Sequence, residues 1–171
     1  MKKTMIIDFT TIPDGTQTKG CLYLDILYLE TITGNGSFGN GIVYAGALEV
    51  LPRPVQISGP GDYWSHLTGV FVQPVTDVTI VAKTYRNSSC SYVGIDKHGA
   101  KFNSSLVIPG IIDGNPPPPD PGWITINLTI PDHSHLVSFH ISNKDPKPND
   151  AAFWLKSISF RRDNKFGPIK S

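Results

Sequence analysis

An aromatic cluster closes a stretch rich in proline and glycine, residues 52–66. It contains Tyr63, Trp64 and His66, whose rings and polar atoms could contact a ligand. Sugar rings have apolar C–H faces that stack on aromatic side chains, while their hydroxyls need polar partners. The residue types therefore indicate a ligand site, and the alternative is that Trp64 fills one end of the hydrophobic core.

Two further segments offer ligand-binding side chains. Arg86 and Asn87 could form hydrogen bonds with hydroxyl groups. Asp120 and Trp123 stand at the end of a proline-rich segment, which should be a stiff loop because proline cannot donate to a β-ladder. Trp123 could be an exposed platform, or it could pack beneath these prolines. The predicted ligand-binding residues are Tyr63, Trp64, His66, Arg86, Asn87, Asp120 and Trp123.

Catalytic and metal-binding patterns are sparse. His133 and His135 form an H-x-H pair that could bind zinc from one strand face, but the spacing supplies no further ligand, and a solvated turn is the alternative. The chain has no G-x-S-x-G, H-E-x-x-H or P-loop motif, and nothing marks two of its 14 acidic residues as a buried catalytic pair. The sequence therefore predicts a protein that is not an enzyme, with a metal- or histidine-dependent hydrolase as the catalytic alternative.

Composition narrows the class of protein. A length of 171 residues suits one domain, residues 1–171. The formal net charge is +1, and the sequence has no cluster of lysine and arginine residues. Nucleic acid is therefore not an expected partner. No apolar run approaches the roughly 20 residues of a membrane-spanning helix. Residues 1–9 lack the apolar core of about 7–15 residues that a signal peptide needs, so either the protein is not exported by the signal-peptide route or the given sequence lacks its leader.

The pattern of residues 123–130, WITINLTI, is typical of a half-buried antiparallel strand. Every even-numbered residue in it is Ile or Leu, and every odd-numbered residue except Trp123 is polar, so one face is apolar. Residues 153–160 have apolar side chains of both parities, and this change of phase predicts a β-bulge near Lys156 and Ser157.

About ten such segments are separated by loops rich in proline and glycine, which favours a two-sheet β-sandwich or a barrel. Each of the ranges 21–30 and 41–51 is predicted as a single strand. If successive strands run up and down, alternate connections fall at the same end. That count places residues 10–19, 52–66, 86–90, 109–122 and 142–151 at one end, and residues 31–40 with the connections at Pro74, Asp96 and Pro131 at the other.

Several of these segments resemble a known family. The stretches VFVQPVTDVTIVAKTY (70–85), SYVGIDKHGAKF (91–102), WITINLTI and FWLKSISF (153–160) are similar to the galactose-binding-like jelly rolls of carbohydrate-binding modules and related bacterial secreted domains. The resemblance implies an all-β, two-sheet antiparallel jelly roll with its first and last strands close together. It also implies an extracellular or secreted protein.

The resemblance bears on metals as well. Some relatives carry an acidic residue in the closing strand that helps to hold a structural calcium ion, but this chain has Lys156 there. Asp8, Asp14 and Asp25 could still offer oxygens, although none lies in a loop with EF-hand spacing. We therefore expect no required cofactor or metal. Cys21 and Cys90 could form a disulfide or remain two separate buried thiols.

These observations predict a non-catalytic, lectin-like module whose partner is a carbohydrate or glycoconjugate, bound at the end that carries the long loops. The alternative is an assembly module of a toxin, adhesin or virion. That alternative predicts a homo-oligomer with Trp154, Tyr23 or Tyr28 in the contact.

Overall fold

A computed structural model describes residues 3–17, 21–31, 41–51, 53–54, 63–84, 88–108, 123–145 and 151–162. These residues form twelve strands and one short 3-10 helix, Phe9–Thr11. The strands are β1 Lys3–Asp8, β2 Leu22–Tyr23, β3 Leu27–Thr31, β4 Val43–Tyr44, β5 Ala47–Val50, β6 Arg53–Pro54, β7 Tyr63–Thr84, β8 Ser88–Asp96, β9 Lys101–Ile108, β10 Ile124–Asn127, β11 Leu136–Asp145 and β12 Phe153–Arg162.

The long strand β7 connects two layers. Its first half pairs with β3 and β11, and β11 continues to β8 and β9. Its second half pairs with β10 and β12, and β12 continues to β1 and β5. We call these two layers the first and the second sheet. All of the strand pairs are antiparallel, as predicted.

The buried positions of β7 change parity where the strand passes from one sheet to the other. Leu67 and Phe71 are buried before this point, and Val78 and Ile80 are buried after it. Between them, Asp77 adopts a φ of 54°, a left-handed conformation that inserts an irregular residue into the strand. The inner faces of both halves therefore point to one core.

Aromatic rings join the two inner faces. Phe71 and Phe139 belong to the first sheet, and their ring centroids lie 5.9 Å apart. The ring centroid of Phe71 also lies 5.1 Å from that of Phe160, which belongs to the second sheet. The described apolar residues form one buried cluster. The all-β, two-sheet antiparallel jelly roll is confirmed, whereas a single domain over residues 1–171 stays a prediction.

Two segments predicted as single strands are hairpins. The range 21–30 contains β2 and β3, because Leu24 and Asp25 turn the chain with φ of 51° and 57°. The range 41–51 contains β4 and β5, joined through Ala45 and Gly46 with φ of 49° and 75°. Consecutive residues with positive φ are typical of a tight hairpin turn. Leucine and alanine, the residue types at positions 24 and 45, do not predict such a turn.

Two other strand predictions fare differently. A connection between two strands was predicted at Pro74, but Pro74 lies within the single strand β7, Tyr63–Thr84. The predicted bulge in the closing strand is confirmed, because the register of β12 against β7 shifts between Leu155 and Ser157. The shift keeps Phe153, Leu155 and Ile158 buried.

The described residues at the ends of the long connections gather at one pole, as the strand count predicted for those connections. Thr84 at the end of β7 donates its hydroxyl to the carbonyl of Ile108, 3.0 Å away. Ser65 at the start of β7 donates to the carbonyl of Ala151, 2.5 Å away. Because Phe153 is the cross-strand partner of Thr84, the residues that flank connections 52–62, 85–87, 109–122 and 146–150 lie together.

The opposite pole carries the tight turns. The Lys97 amide donates to the His135 carbonyl at 3.0 Å, and Leu136 pairs with both Val75 and Asp96. The predicted connection 31–40 lies outside the described residues except for Thr31, which pairs with Leu67 on the way to the long-loop pole. The β2–β3 hairpin adds a strand that the count had missed, and this reverses the direction in which the chain leaves β3.

Candidate functional site

Four side chains form a row across the outer face of the second sheet. Trp154 on β12 is the cross-strand partner of Glu49 on β5 and of Lys83 on β7. Ile124 pairs with Ala82, so Trp123 follows as the next neighbour of Lys83. Adjacent strands lie about 4.8 Å apart, which separates the two tryptophan positions by about 10 Å.

Strand alternation turns this row away from the core. Ala82 and Thr84, which flank Lys83, are fully buried, and so are Phe153 and Leu155, which flank Trp154. The side chains between them therefore point outward, and Lys83 and Trp154 are half-buried.

Two contacts fix the row. The Lys83 Nζ lies 4.6 Å from the centroid of the Trp123 ring, a cation–π geometry. The Trp154 indole N–H donates to Glu49 Oε1 at 3.4 Å. Both tryptophan rings are thus held in place while they remain partly accessible.

A shallow cleft of about 310 Å³ lies over this row. Tyr44, at the rim, exposes 61% of its surface. We call this site the aromatic cleft; its lining residues are Tyr44, Ala45, Ala47, Glu49, Lys83, Trp123 and Trp154.

Polar side chains continue from the aromatic cleft along β7 and β10. The Thr79 hydroxyl donates to Asn127 Oδ1 at 2.8 Å, and Thr125 is exposed beside Val81. Farther along, Arg161 lies 3.6 Å from an Asp77 carboxylate oxygen, with both side chains about half exposed. The outer face of the second sheet therefore presents aromatic side chains near one pole and hydrogen-bonding side chains toward the other.

The aromatic residues predicted from the loop lie on the other sheet. Trp64 and His66 are half-buried on the outer face of the first sheet, with ring centroids 4.8 Å apart and an angle of 21° between planes. Tyr63 pairs with Asp145 at the start of β7. Trp64 therefore does not fill the end of the core.

The seven predicted ligand-binding residues do not form one site among the described residues. The structure brings Trp64 and His66 together, but Trp123 lies across the core from them, on the second sheet. Arg86, Asn87 and Asp120 lie outside the described residues. Whether these seven residues bind a ligand stays a prediction.

Sequence reasoning missed two features of these faces. His140 contacts His66 on the first sheet, and Trp154 joins Trp123 through Lys83 on the second. Trp154 has the off-core parity that marks an outward side chain, but it was predicted only as part of an oligomer contact and not as a ligand-binding residue. Its neighbours depend on the register between β12, β7 and β10, which no local pattern encodes.

The predicted histidine pair lines a polar cleft at the tight-turn pole. His133 is exposed with a φ of 63°, and His135 is half-buried. The cleft, about 370 Å³, also includes Asp77 and Asp132. Over the part of the chain that the structure describes, no three His, Cys, Asp or Glu side chains are grouped so that they could hold a metal ion.

Two carboxylates near these poles have structural roles. Asp8 caps the 3-10 helix, because its Oδ1 accepts the hydroxyl and the amide of Thr10, and these bonds lower the pKa of Asp8. Asp96 Oδ1 accepts the amides of Ala100 at 2.9 Å and His98 at 2.8 Å. The Ala100 bond is the largest influence lowering the pKa of Asp96.

The two cysteines are separate thiols. Cys90 is buried, and desolvation raises its pKa to about 12. Cys21 is partly accessible, and its Sγ lies 3.1 Å from the carbonyl of Gln17. Of the two alternatives left open by the sequence, the structure has free thiols.

No helix in the described ranges is both long and apolar enough to cross a membrane.

Similar solved structures include carbohydrate-binding modules, as the sequence resemblance predicted. An aspartate-to-alanine mutant of the family 29 module CBM29-2 has a TM-score of 0.48 and 11% identity, covering 94% of this chain and 92% of that one. A lysine-to-alanine mutant of the same module, complexed with cellulohexaose, has a TM-score of 0.47 and 12% identity over 94% and 91%. CBM29_1 from Piromyces equi has a TM-score of 0.37 and 8% identity over 80% and 91%.

Neither a protein-family model nor a curated protein matches the chain.

Proposed function

We propose that this protein binds carbohydrate without catalysis, through the aromatic cleft. The observation that carries the proposal is the row of Trp123, Lys83, Trp154 and Glu49 on one open sheet face. The proposal includes an extracellular setting, where glycans are accessible as partners.

Stacking supplies the first part of the argument. Pyranose rings present apolar C–H faces, and an indole offers a large flat surface for them at a small cost in conformational entropy. Trp123 and Trp154 are about two strand spacings apart. One oligosaccharide could therefore contact both rings.

Hydrogen bonding supplies the second part. Lys83 offers donors and Glu49 offers acceptors beside the tryptophans, and sugar hydroxyls require both. These groups are already held by their contacts with Trp123 and Trp154. Binding therefore orders few side chains, which limits its entropic cost.

The described lining of the cleft does not offer the groups for glycoside hydrolysis by the usual mechanism. That reaction uses two carboxyl groups, one on each side of the scissile bond. Among the residues that the structure describes, Glu49 is the single carboxylate that lines the cleft. Binding without bond cleavage is the function that these residues support best.

Calorimetry on variants tests the proposal, once a glycan array has identified a soluble oligosaccharide that binds. We expect Trp123→Ala and Trp154→Ala each to weaken binding by about three- to tenfold, because each removes one stacking ring. Tyr28→Ala is the matched control, since it removes an exposed aromatic ring from the other sheet. Unchanged affinity in both tryptophan variants would refute this location.

Trp64→Ala separates this location from the one predicted at the long loop. A loss confined to Trp64→Ala would assign binding to the first sheet instead. If no glycan on the array binds, the carbohydrate function itself is wrong.

An exposed apolar stripe favours the assembly module as a second candidate. Leu22 pairs with Tyr28, and Tyr28 pairs with Val70, so these exposed side chains cross three strands of the first sheet. Tyr23 is half-buried against Phe9, with ring centroids 6.1 Å apart, and so does not face outward as that alternative assumed. Light scattering distinguishes the candidates, because an assembly module is an oligomer without any glycan.

A further inference from the structure

Two histidines from different strands meet on the outer face of the first sheet. His66 Nε2 lies 2.8 Å from His140 Nδ1 and is also in direct contact with His140 Nε2. The ring centroids are 3.5 Å apart, and the planes are inclined by 78°. The two imidazoles therefore meet at their nitrogen-bearing edges, not through stacked faces.

The strand register produces this meeting. His66 on β7 pairs with Ser142 on β11, and His140 on β11 pairs with Thr68 on β7. The two histidines are therefore diagonal neighbours on one face, a spacing within reach of long side chains. Sequence spacing alone could not reveal this, since 74 residues separate them.

Neighbouring side chains orient both rings. The Thr68 hydroxyl lies 3.1 Å from His140 Nδ1, so it can hold that nitrogen and direct Nε2 of the same ring toward His66. The Trp64 ring stacks on His66 and covers one side of it. A hydrogen bond to the second ring nitrogen is the usual way in which proteins orient a histidine that binds metal.

We propose that His66 and His140 form a two-histidine site for a divalent transition-metal ion such as Zn²⁺. Neutral imidazole is a common ligand of zinc, copper and nickel. With a Zn–N distance of about 2.0–2.1 Å, two nitrogens on a tetrahedral ion lie about 3.3 Å apart, so a small opening of the pair admits the ion.

The site leaves two tetrahedral positions to water or to an oxygen or nitrogen of another molecule. It does not depend on the proposed carbohydrate function, because it lies on the opposite face from the aromatic cleft. It also differs from the predicted His133–His135 pair, which lies at the tight-turn pole.

Titration calorimetry of the metal-stripped full chain with zinc chloride tests the site. We expect one ion to bind per chain, and either His66→Asn or His140→Asn to weaken binding by about tenfold or more, because one of only two protein ligands is lost. His98→Asn is the matched control, since His98 is an exposed histidine in a turn. Circular dichroism confirms that each variant folds.

A second variant probes orientation without removing a ligand. Thr68→Val should weaken zinc binding by about tenfold, the usual cost of losing an orienting partner. If the wild type, His66→Asn and His140→Asn bind zinc with equal affinity, the two imidazoles only form a hydrogen bond with each other and do not bind the ion. That result would overturn the proposal. The absence of binding to the wild type would overturn it as well.

Discussion

Asp96 shows at the scale of a residue how one side chain defines a turn. A connection was predicted at Asp96, and the structure has a hairpin there between β8 and β9. Asp96 Oδ1 accepts two backbone amides of the turn, and Gly99 adopts a φ of 82°. Local hydrogen bonding of this kind is readable from sequence, because donor and acceptor lie within four residues.

Stability should fall in acid partly through Asp96. Its pKa is lower in the folded protein than in the unfolded chain. The carboxylate therefore contributes stability that is fully present above the unfolded pKa of about 3.9 and is lost as the pH falls through the folded value. Melting curves between pH 7 and pH 2 should show a smaller acid-induced decrease in Tm for Asp96→Asn than for wild type.

The matched comparison for this prediction is Asp132→Asn, which removes an exposed carboxylate from another turn and should alter the acid dependence of Tm little. An Asp96→Asn protein with the same acid profile as the wild type would contradict this role for the hydrogen bonds.

At the scale of elements, periodicity predicted which faces are buried but not where strands begin and end. Residues 123–130 have the predicted alternation, with Leu128 buried and Thr125, Asn127 and Thr129 exposed, although β10 itself covers only Ile124–Asn127. Hairpins through Leu24 and Ala45 were missed because neither residue is a usual turn former. The junction of two sheets within β7 was missed because Pro74 suggested a break.

Close packing within the first sheet gives a prediction about Gly69. This residue lies on β7 between Leu29 and Phe139, its partners on β3 and β11. A Cβ there would lie 2.2 Å from the buried Phe139 ring. Gly69→Ala should therefore lower the free energy of unfolding by about 1–3 kcal/mol, as measured by urea denaturation.

Two further variants isolate the cause. Adding Phe139→Leu to Gly69→Ala removes the ring that clashes, so the double variant should lose less stability than the sum of the two single changes. Val107→Ala, on an exposed strand position, should change stability by about 0.5 kcal/mol or less. Strictly additive effects would show that the Gly69–Phe139 contact is not the constraint.

At the scale of the whole molecule, the two outer faces carry different chemistry. The second sheet presents the aromatic cleft, and the first sheet presents the imidazole pair and an apolar stripe. The sequence predicted that the ends of the long connections gather at one pole, and this survives because the two missed hairpins, β2–β3 and β4–β5, cancel in the strand count. It could not predict that Trp64 and Trp123 lie on opposite faces, because that follows from β7 serving both sheets.

Nuclear magnetic resonance of the indole N–H groups tests the central claim most directly. The chain has three tryptophans, so a ¹⁵N-labelled sample gives three indole signals, assigned by single Trp→Phe variants. During titration with an oligosaccharide that binds, we expect the Trp123 and Trp154 signals to shift. The Trp154 signal should shift most, since its N–H donates to Glu49 within the cleft. A shift of the Trp64 signal alone would contradict the account and place the ligand on the first sheet.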